Sequence, residues 1–441
     1  MNYEKIKSIV LLVLVIISGV LTWNTWTYQP KYETIDSEML HEISIDEKKG
    51  FSSLVKPYKV LFHTNNGHYG TVNEEKMEKV LSEMQNWAFY DFGNARSLND
   101  EEINKLSHRD GVVEIIYPDL VPLDVYKHVL DFEIKDMPNI YFERIAINLY
   151  NQNKKETSIY FIDSTNNKVY ESHLSSRKLD AFSKMFATVP KDFVPYFSYQ
   201  LNKKKTIFLP ENKTKMKKYT YYPDHIEPEK FKNALFPDPS FVKKNILDDS
   251  VEYTNGTSLM TAESNTSMIF YVNPAQELDL TEENRDESQL LRKSIDFVNE
   301  HGGWTDNYHY FMKNEAQQKV AFKLFMHGYP VFNEDGMADV VQYWGKEEIY
   351  KYSRPNFVLE FPLPIEKEVT LPSGKEVLHH LSQDAEIQPD MLEDLVIGYR
   401  LLRDEENDKV MILEPSWYYL YGGTWVRLIT DYSGGVPNGL E

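Results

Sequence analysis

The sequence predicts an α+β protein in which one N-terminal transmembrane helix precedes a three-domain extracellular region of mainly antiparallel sheets with flanking helices. Residues 8–28 carry no charge, and the rest of the chain contains many short runs of alternating apolar and polar residues separated by turn residues. Such runs are typical of antiparallel strands, and a few longer runs with helical spacing lie between them. The chain has no cysteine, so its stability must come from buried apolar surface rather than from disulfides.

The uncharged stretch 8–28 is long enough to cross a lipid bilayer. A helix rises about 1.5 Å per residue, so this stretch would span roughly 31 Å, the thickness of a hydrocarbon core. Lysines before it hold the N-terminus in the cytoplasm, and aromatic residues at its C-terminal end suit the far interface. The expected membrane-interface anchors are Lys5, Lys7, Trp23, Trp26 and Tyr28. We therefore expect a single-pass protein of the cell membrane with the bulk of the chain extracellular.

A cleaved secretory signal peptide is the alternative interpretation of this stretch. Its hydrophobic region would be shorter and would be followed by small residues at the cleavage site. The stretch instead ends in TWNTWTYQP, which is bulky and aromatic where a peptidase needs small side chains. This ending favours an uncleaved anchor.

One side of the predicted helix has the composition of a helix–helix contact. Small and hydroxyl residues in the middle of a membrane helix let another backbone approach closely, and the hydroxyls can form hydrogen bonds across the contact. Residues spaced by three and four positions share one side of a helix. The predicted partner-contact face consists of Ser8, Leu12, Val15, Ser18, Gly19, Thr22 and Trp26. Alternatively, Ser18 and Gly19 are simply tolerated in an anchor that faces lipid.

The remaining chain is predicted to follow a simple domain order. Both later extracellular domains have a helix followed by a meander of strands, so we expect them to be related in topology. The predicted segments are a cytoplasmic tail (1–7), the transmembrane helix (8–28), a juxtamembrane arm (29–56) and three extracellular domains (57–192, 193–280 and 281–441).

The composition and motifs argue against several function classes. The formal net charge is −20, and so acidic a surface repels nucleic acid and other polyanions. Nucleophile-elbow, phosphate-loop, zincin and dinucleotide-binding motifs are missing, and thiol chemistry needs cysteine. His379 and His380 are adjacent and would point about 100° apart on a helix, so solvated histidines are favoured over a metal site. The sequence predicts no enzyme, no cofactor, no metal and no nucleic-acid partner.

Two further features allow a binding role as the less favoured interpretation. The lysines between 203 and 218 either protect an exposed strand edge or form a basic patch. The stretches 415–417 and 422–425 are interpreted as hairpin turns with tryptophans in the core, and a ligand groove beside them is the alternative.

Six stretches of the chain form a recognisable combination: 3–8 (YEKIKS), 21–30 (LTWNTWTYQP), 322–332 (FKLFMHGYPVF), 398–401 (GYRL), 414–417 (EPSW) and 422–425 (GGTW). Together they resemble the YycH family of Firmicutes, and the resemblance extends over essentially the whole chain. The last three stretches are similar to the C-terminal domain that YycH shares with YycI.

This resemblance implies an accessory regulator of the essential sensor histidine kinase WalK, also called YycG. Family members have one membrane helix and a three-domain extracellular part, and they act with YycI and the kinase to control cell-wall metabolism. The resemblance implies no catalytic residues, and it favours an inhibitory effect. Self-association stays open, and the alternative function is an extracellular module that binds cell wall or peptide and is tethered by the helix.

Overall fold

The computed structural model describes residues 7, 17–19, 21, 45–133, 139–150, 156–201, 205–277, 289–364 and 367–429. The chain divides into two compact units, residues 1–43 and residues 44–441. In the first unit, Lys7, Ile17, Ser18, Gly19 and Leu21 are helical and exposed. Within the described part of the chain, no helix is both long enough and apolar enough to cross a membrane. Most of the predicted anchor lies outside that part.

The second unit contains eight α-helices within its described residues. They are α1 (Phe51–Leu54), α2 (Glu74–Met84), α3 (Asp100–Ser107), α4 (Leu123–Tyr126), α5 (Ser176–Met185), α6 (Pro228–Leu235), α7 (Leu290–Glu300) and α8 (Gly374–Gln383). Helices α2, α3 and α8 begin directly after the capping residues Asn73, Asn99 and Ser373, each of which accepts a hydrogen bond from a backbone N–H of the first turn.

Strands outnumber helices in the described part of the unit, and nearly all of them pair antiparallel, which confirms the predicted α+β class. The strands of the N-terminal half are β1 (Lys59–Thr64), β2 (Gly67–Thr71), β3 (Ala88–Phe89), β4 (Arg96–Ser97), β5 (Val112–Pro122), β6 (Asp131–Phe132), β7 (Tyr141–Asn148), β8 (Glu156–Asp163), β9 (Lys168–Ser175), β10 (Val194–Gln200) and β11 (Thr206–Pro210). Those that follow are β12 (Thr214–Tyr221), β13 (Asp224–His225), β14 (Lys243–Ile246), β15 (Ser250–Thr254), β16 (Leu259–Glu263), β17 (Met268–Val272), β18 (Tyr308–Asn314), β19 (Lys319–Met326), β20 (Tyr329–Phe332), β21 (Asp339–Trp344), β22 (Ile349–Pro355), β23 (Phe357–Val358), β24 (Lys367–Leu371), β25 (Leu392–Arg403), β26 (Met411–Tyr421) and β27 (Thr424–Arg427).

The first sheet has nine strands in the order β11-β10-β2-β1-β5-β7-β8-β9-β4. Alternate residues of a strand point to opposite faces, so Val60 and Phe62 of β1 enter the main core while Lys59 and His63 face the other side. On the core side, α2 and α5 cover the sheet, and the Trp87 ring after α2 packs edge-on against Phe182 of α5 at 5.0 Å. The opposite face is buried as well, although it carries charged residues.

The second sheet has fourteen strands, with the path β14-β15-β16-β17-β22-β21-β19-β20-β25-β26-β12-β24 and with β18 on β19 and β27 on β26. A short parallel contact between β20 and β25 joins its two parts. Strands from residues 193–280 enter both sheets, because β10 and β11 belong to the first sheet and β12 and β14–β17 to the second. The three-domain division and the relation between the last two domains stay predictions.

Of two predicted turns near the C-terminus, one was wrong and one is confirmed. The predicted turn at 415–417 is continuous strand, because Pro415 and Ser416 pair with Tyr399 and Gly398 of β25. On its other side, β26 pairs with β12 only up to Leu413 and with β27 only from Tyr418, so the strand tolerates a residue without an N–H between them. The hairpin at 422–423 is confirmed, since two glycines with positive φ connect β26 to β27.

Two carboxylates of the first half hold the sheets together. Glu74 at the start of α2 accepts hydrogen bonds from the backbone N–H of Gly328 (3.1 Å) and from the Asn307 side chain (3.2 Å). Asp119 in β5 accepts one from the Lys313 backbone N–H of β18 at 2.6 Å. These bonds satisfy backbone donors at the ends of elements that would otherwise be buried without partners.

We predict that Gly328→Ala destabilises the protein more than Gly256→Ala does. Both glycines have positive φ (82° and 93°), so both changes strain the backbone by about 1–2 kcal/mol. Only at Gly328 would a Cβ meet a neighbour, lying 2.0 Å from the Val72 carbonyl oxygen, which adds about 1–3 kcal/mol of overpacking. Urea unfolding of both variants measures the difference, and equal losses would contradict this account of the junction.

Candidate functional site at the junction of the two sheets

The structure describes little of the predicted membrane-helix site. Ser18 and Gly19 of the partner-contact face are helical and exposed, and a Cβ at Gly19 would meet no described atom within 4 Å. Lys7, a predicted interface anchor, is also helical and exposed. The other predicted residues lie outside the described residues: Lys5, Ser8, Leu12, Val15, Thr22, Trp23, Trp26 and Tyr28.

The first described residues of the second unit are fastened to the C-terminal half. The backbone N–H groups of Ile45 and Asp46 both donate to the Gly302 carbonyl oxygen, at 2.9 and 2.8 Å. The Asn299 side chain accepts from Lys49 N–H (2.9 Å) and donates to the Lys49 carbonyl oxygen (3.0 Å). We call this contact between residues 45–49 and 299–306 the arm clasp.

Two glycines make the clasp possible. Gly302 and Gly303 end α7 with φ of 111° and 84°, a region that side chains other than glycine rarely adopt. A Cβ on Gly303 would lie 2.4 Å from the Asp46 carbonyl oxygen. Two glycines after a run with helical spacing are a local signal for the end of a helix, but no local signal in the sequence shows that the arm docks there.

A partly buried carboxyl group lies at the centre of the clasp. Burial raises the pKa of Asp306 to about 7, although a hydrogen bond from Leu359 N–H and the Lys49 ammonium oppose the shift. The Arg354 guanidinium donates to the Gly303 carbonyl oxygen (2.9 Å) and to Thr305 (3.1 Å) and so fixes the adjoining loop. The arm is therefore held by polar contacts as well as by its backbone.

The face of the first sheet that points away from the main core carries a second group of buried charges. The Glu114 carboxylate lies 3.3 Å from His63 Nε2, 3.3 Å from Arg144 Nη1 and 3.6 Å from His108 Nε2. The Phe208 ring of β11 covers the histidines, with ring centroids 4.7 Å from His108 and 5.1 Å from His63. The side chains of Glu114 and His63 are fully buried, so this cluster has the exposure of a structural group rather than of a catalytic one.

The surroundings set the protonation of this cluster. Burial alone would raise the pKa of Glu114, but His108, Arg144 and His63 outweigh it and hold the pKa at about 2. Burial lowers the pKa of His108 to about 3 and that of His68 to about 4, with Glu114 opposing both shifts. At neutral pH these two histidines are therefore uncharged, and Glu114 is ionised beside the Arg144 guanidinium.

A cavity of about 400 Å³ lies beside this face, between the two sheets. The lysines at its rim form ion pairs, with Lys213 3.3 Å from Glu376 and Lys215 2.8 Å from Glu368. Its walls come from both halves of the unit and include Tyr58, Lys59, Gly70, Tyr196, Phe208, His327, Tyr329, Leu395, Ile397 and Trp417. The Trp417 indole is buried and donates to the Pro372 carbonyl oxygen at 3.0 Å. The ligand groove that the sequence left open beside this tryptophan would correspond to this cavity.

His379 and His380 are both exposed on α8, and the His379 ring lies 3.1 Å from the Gln383 amide. Among the described residues, the acidic side chains and histidines form no group that could hold a metal ion.

Comparison with known proteins identifies the family. A model of the YycH protein N-terminal domain matches residues 4–189, and a model of the YycH protein C-terminal domain matches residues 204–433. The chain belongs to the YycH family. The cavity thus lies between residues of the two family domains, with Lys59 and Gly70 on one side and Tyr329 and Trp417 on the other.

A sequence comparison and a structure comparison with YycH of Bacillus subtilis agree with this assignment. YycH of Bacillus subtilis (strain 168), described as a two-component system WalR/WalK regulatory protein, is 24% identical over 464 residues that cover all of both chains. The crystal structure of YycH from Bacillus subtilis superimposes with a TM-score of 0.72 at 21% identity and covers 88% of this chain and 100% of that chain. This likeness confirms the fold.

We predict that in His108→Gln the free energy of unfolding decreases less as the pH falls from 7 to 5. The pKa of His108 is lower in the folded state (about 3) than in the unfolded chain (about 6.5). Its contribution to the free energy of unfolding is therefore complete above pH 6.5 and declines as the pH falls. At pH 5 the loss amounts to about 2 kcal/mol. The free energy of unfolding at pH 7 and at pH 5 should therefore differ by about 2 kcal/mol less in the variant. The exposed control His379→Gln should keep the wild-type slope, and equal slopes in all three proteins would refute the assignment.

We predict that Asn299→Ala loosens the arm clasp while leaving the fold intact. The Lys49 N–H and the Trp304 indole N–H both lose their acceptor, and one hydrogen bond contributes about 1 kcal/mol. Deuterium exchange of the Lys49 amide should become about fivefold faster. The control Asn104→Ala removes a side-chain bond to Thr206 and should leave exchange at Lys49 unchanged. Unaltered exchange in Asn299→Ala would show that the clasp does not hold the arm.

Proposed function

We propose that this protein is a membrane-anchored accessory regulator, rather than an enzyme, of a WalK-type sensor histidine kinase and acts together with YycI. The single observation that carries the proposal is the match along the full chain to a relative described as a WalR/WalK regulatory protein. The uncharged stretch 8–28 supports the membrane location, with the N-terminus in the cytoplasm and residues 31–441 outside. We propose that the protein inhibits the kinase.

The proposed mechanism is contact between membrane helices. A kinase with its own membrane helices has two signalling states, and a helix that packs better against one of them shifts the balance by its differential affinity. A coupling of about 1–3 kcal/mol changes activity about 5- to 150-fold. The face that contains Ser18 and Gly19 would make this contact, since small residues allow close approach.

The arm clasp supports a route from the large unit to the anchor. The clasp ties residues 45–49 to the loop after α7, about 17 residues beyond the end of the stretch 8–28. A change in the loop that contains Asn299 and Asp306 would therefore reach the chain segment that leads to the proposed membrane helix.

We expect Gly19→Leu to weaken association with the kinase or with YycI while membrane insertion stays intact. A leucine would hold the partner backbone away from the helix. The matched control is Ile17→Phe, which adds bulk about 160° around the helix and should leave association unchanged. The chain has no native cysteine, so crosslinking from single cysteines at positions 8–28 measures the contact directly. Unchanged crosslinking and kinase output in Gly19→Leu would refute the contact face.

The cavity favours a second candidate function, an extracellular module that binds cell wall or peptide and is only tethered by the helix. Replacing residues 8–28 with an unrelated membrane helix separates the two. Loss of regulation at equal membrane abundance supports helix contact, whereas retained regulation supports the tethered module.

A further inference from the structure

Lys59 forms part of the cavity wall and is only 8% exposed. Its ammonium group donates to the Phe208 carbonyl oxygen at 3.2 Å, and no other hydrogen-bond partner occurs for it within the described ranges. An ammonium group has three N–H donors. Two donors of a buried cation therefore remain for an acceptor that enters the cavity.

The charges around Lys59 do not neutralise it. Asp394, the nearest opposite charge, is bound by Lys205 at 2.9 Å and makes no ion pair with Lys59 within 4 Å. Glu114 attracts Lys59 more weakly, while Lys205 and Arg144 repel it. Burial lowers the pKa of Lys59 to about 8, and Asp394 offsets this only in part. Lys59 is thus mostly charged at neutral pH, in a place where a further anionic acceptor would stabilise it.

The rest of the cavity defines what could accompany that acceptor. The rings of Tyr58 and Tyr196 flank the ammonium at 5.2 and 5.6 Å, and the walls contributed by Leu395, Ile397 and Trp417 are apolar. The volume of about 400 Å³ falls in the range of sites for small ligands. A polyanion does not fit, because the rim lysines are already paired and the chain carries a net charge of −20.

We propose that this cavity binds a small monocarboxylate with an apolar body, such as the C-terminal end of a short peptide, with its carboxylate on the Lys59 ammonium. The carboxylate supplies the missing acceptor through a charge-assisted hydrogen bond from the ammonium, and the aromatic and aliphatic walls bury the rest of the ligand. Because the walls come from both sheets, a bound ligand contacts both halves of the protein. The inference concerns the described residues alone and stands whether or not the anchor contacts a kinase.

Calorimetric titration of the full chain in detergent with N-acetyl-leucyl-phenylalanine tests the proposal, with the C-terminal amide of the same dipeptide as the matched probe. The free carboxylate should bind saturably and at least tenfold more tightly than the amide. Lys59→Met should abolish this preference, whereas the rim control Lys215→Met should keep it. Equal affinity for acid and amide, no binding of either, or an unchanged preference in Lys59→Met would each overturn the proposal.

The pH dependence provides a measurement that does not depend on the folding of a variant. As the pH rises through about 8, Lys59 loses its proton, so carboxylate affinity should be about tenfold lower at pH 9 than at pH 7. Burial raises the pKa of Tyr58 and Tyr196, so both tyrosines stay neutral over this range. Lys205 and Lys59 hold the pKa of the Asp394 carboxyl below its usual value despite burial, so it stays ionised. Affinity that is constant from pH 7 to pH 9 would contradict the assignment to Lys59.

Discussion

The close approach of Gly328 to the turn before α2 fixes the two sheets against each other. No side chain fits between Gly328 and the Val72 carbonyl oxygen, and Glu74 holds the contact with hydrogen bonds to Gly328 and Asn307. The chain has no disulfide to do this instead. The cavity depends on this junction, since its walls come from both sheets. Together with the hydrogen bond from Lys313 to Asp119, these contacts join the two halves of the unit.

The buried charges of the first sheet differ in how well they are matched. Glu114 has Arg144 and two histidines within 3.6 Å, so its charge is compensated inside the protein. Lys59, on the same face, has a carbonyl oxygen and two aromatic rings but no ion pair. A buried ion pair contributes little net stability compared with apolar packing, and a buried charge without a partner is costly. This contrast makes the Glu114 cluster a structural feature and Lys59 a binding feature.

Local signals in the sequence predicted the elements well, because caps and turns depend on neighbouring residues. Asn73 and Asn99 mark helix starts, and Gly302 and Gly303 mark the end of α7, for reasons of backbone geometry alone. The candidate site could not be predicted in this way. The alternation in β1 suggests a polar, solvated face at Lys59 and His63, and only the covering strand β11 and the second sheet bury it. The arm clasp joins residues about 250 positions apart, a separation for which the sequence contains no local signal.

We propose that a membrane-embedded helix conveys regulation and that the large unit acts through it. Residues 44–441 form a compact unit of their own, so the chain from residue 31 onward can be exported without the anchor and compared with the full chain at equal abundance outside the membrane. Kinase-dependent transcription in cells that lack the native protein is the measurement. The account predicts that only the full chain restores regulation. Full regulation by the detached chain would contradict it.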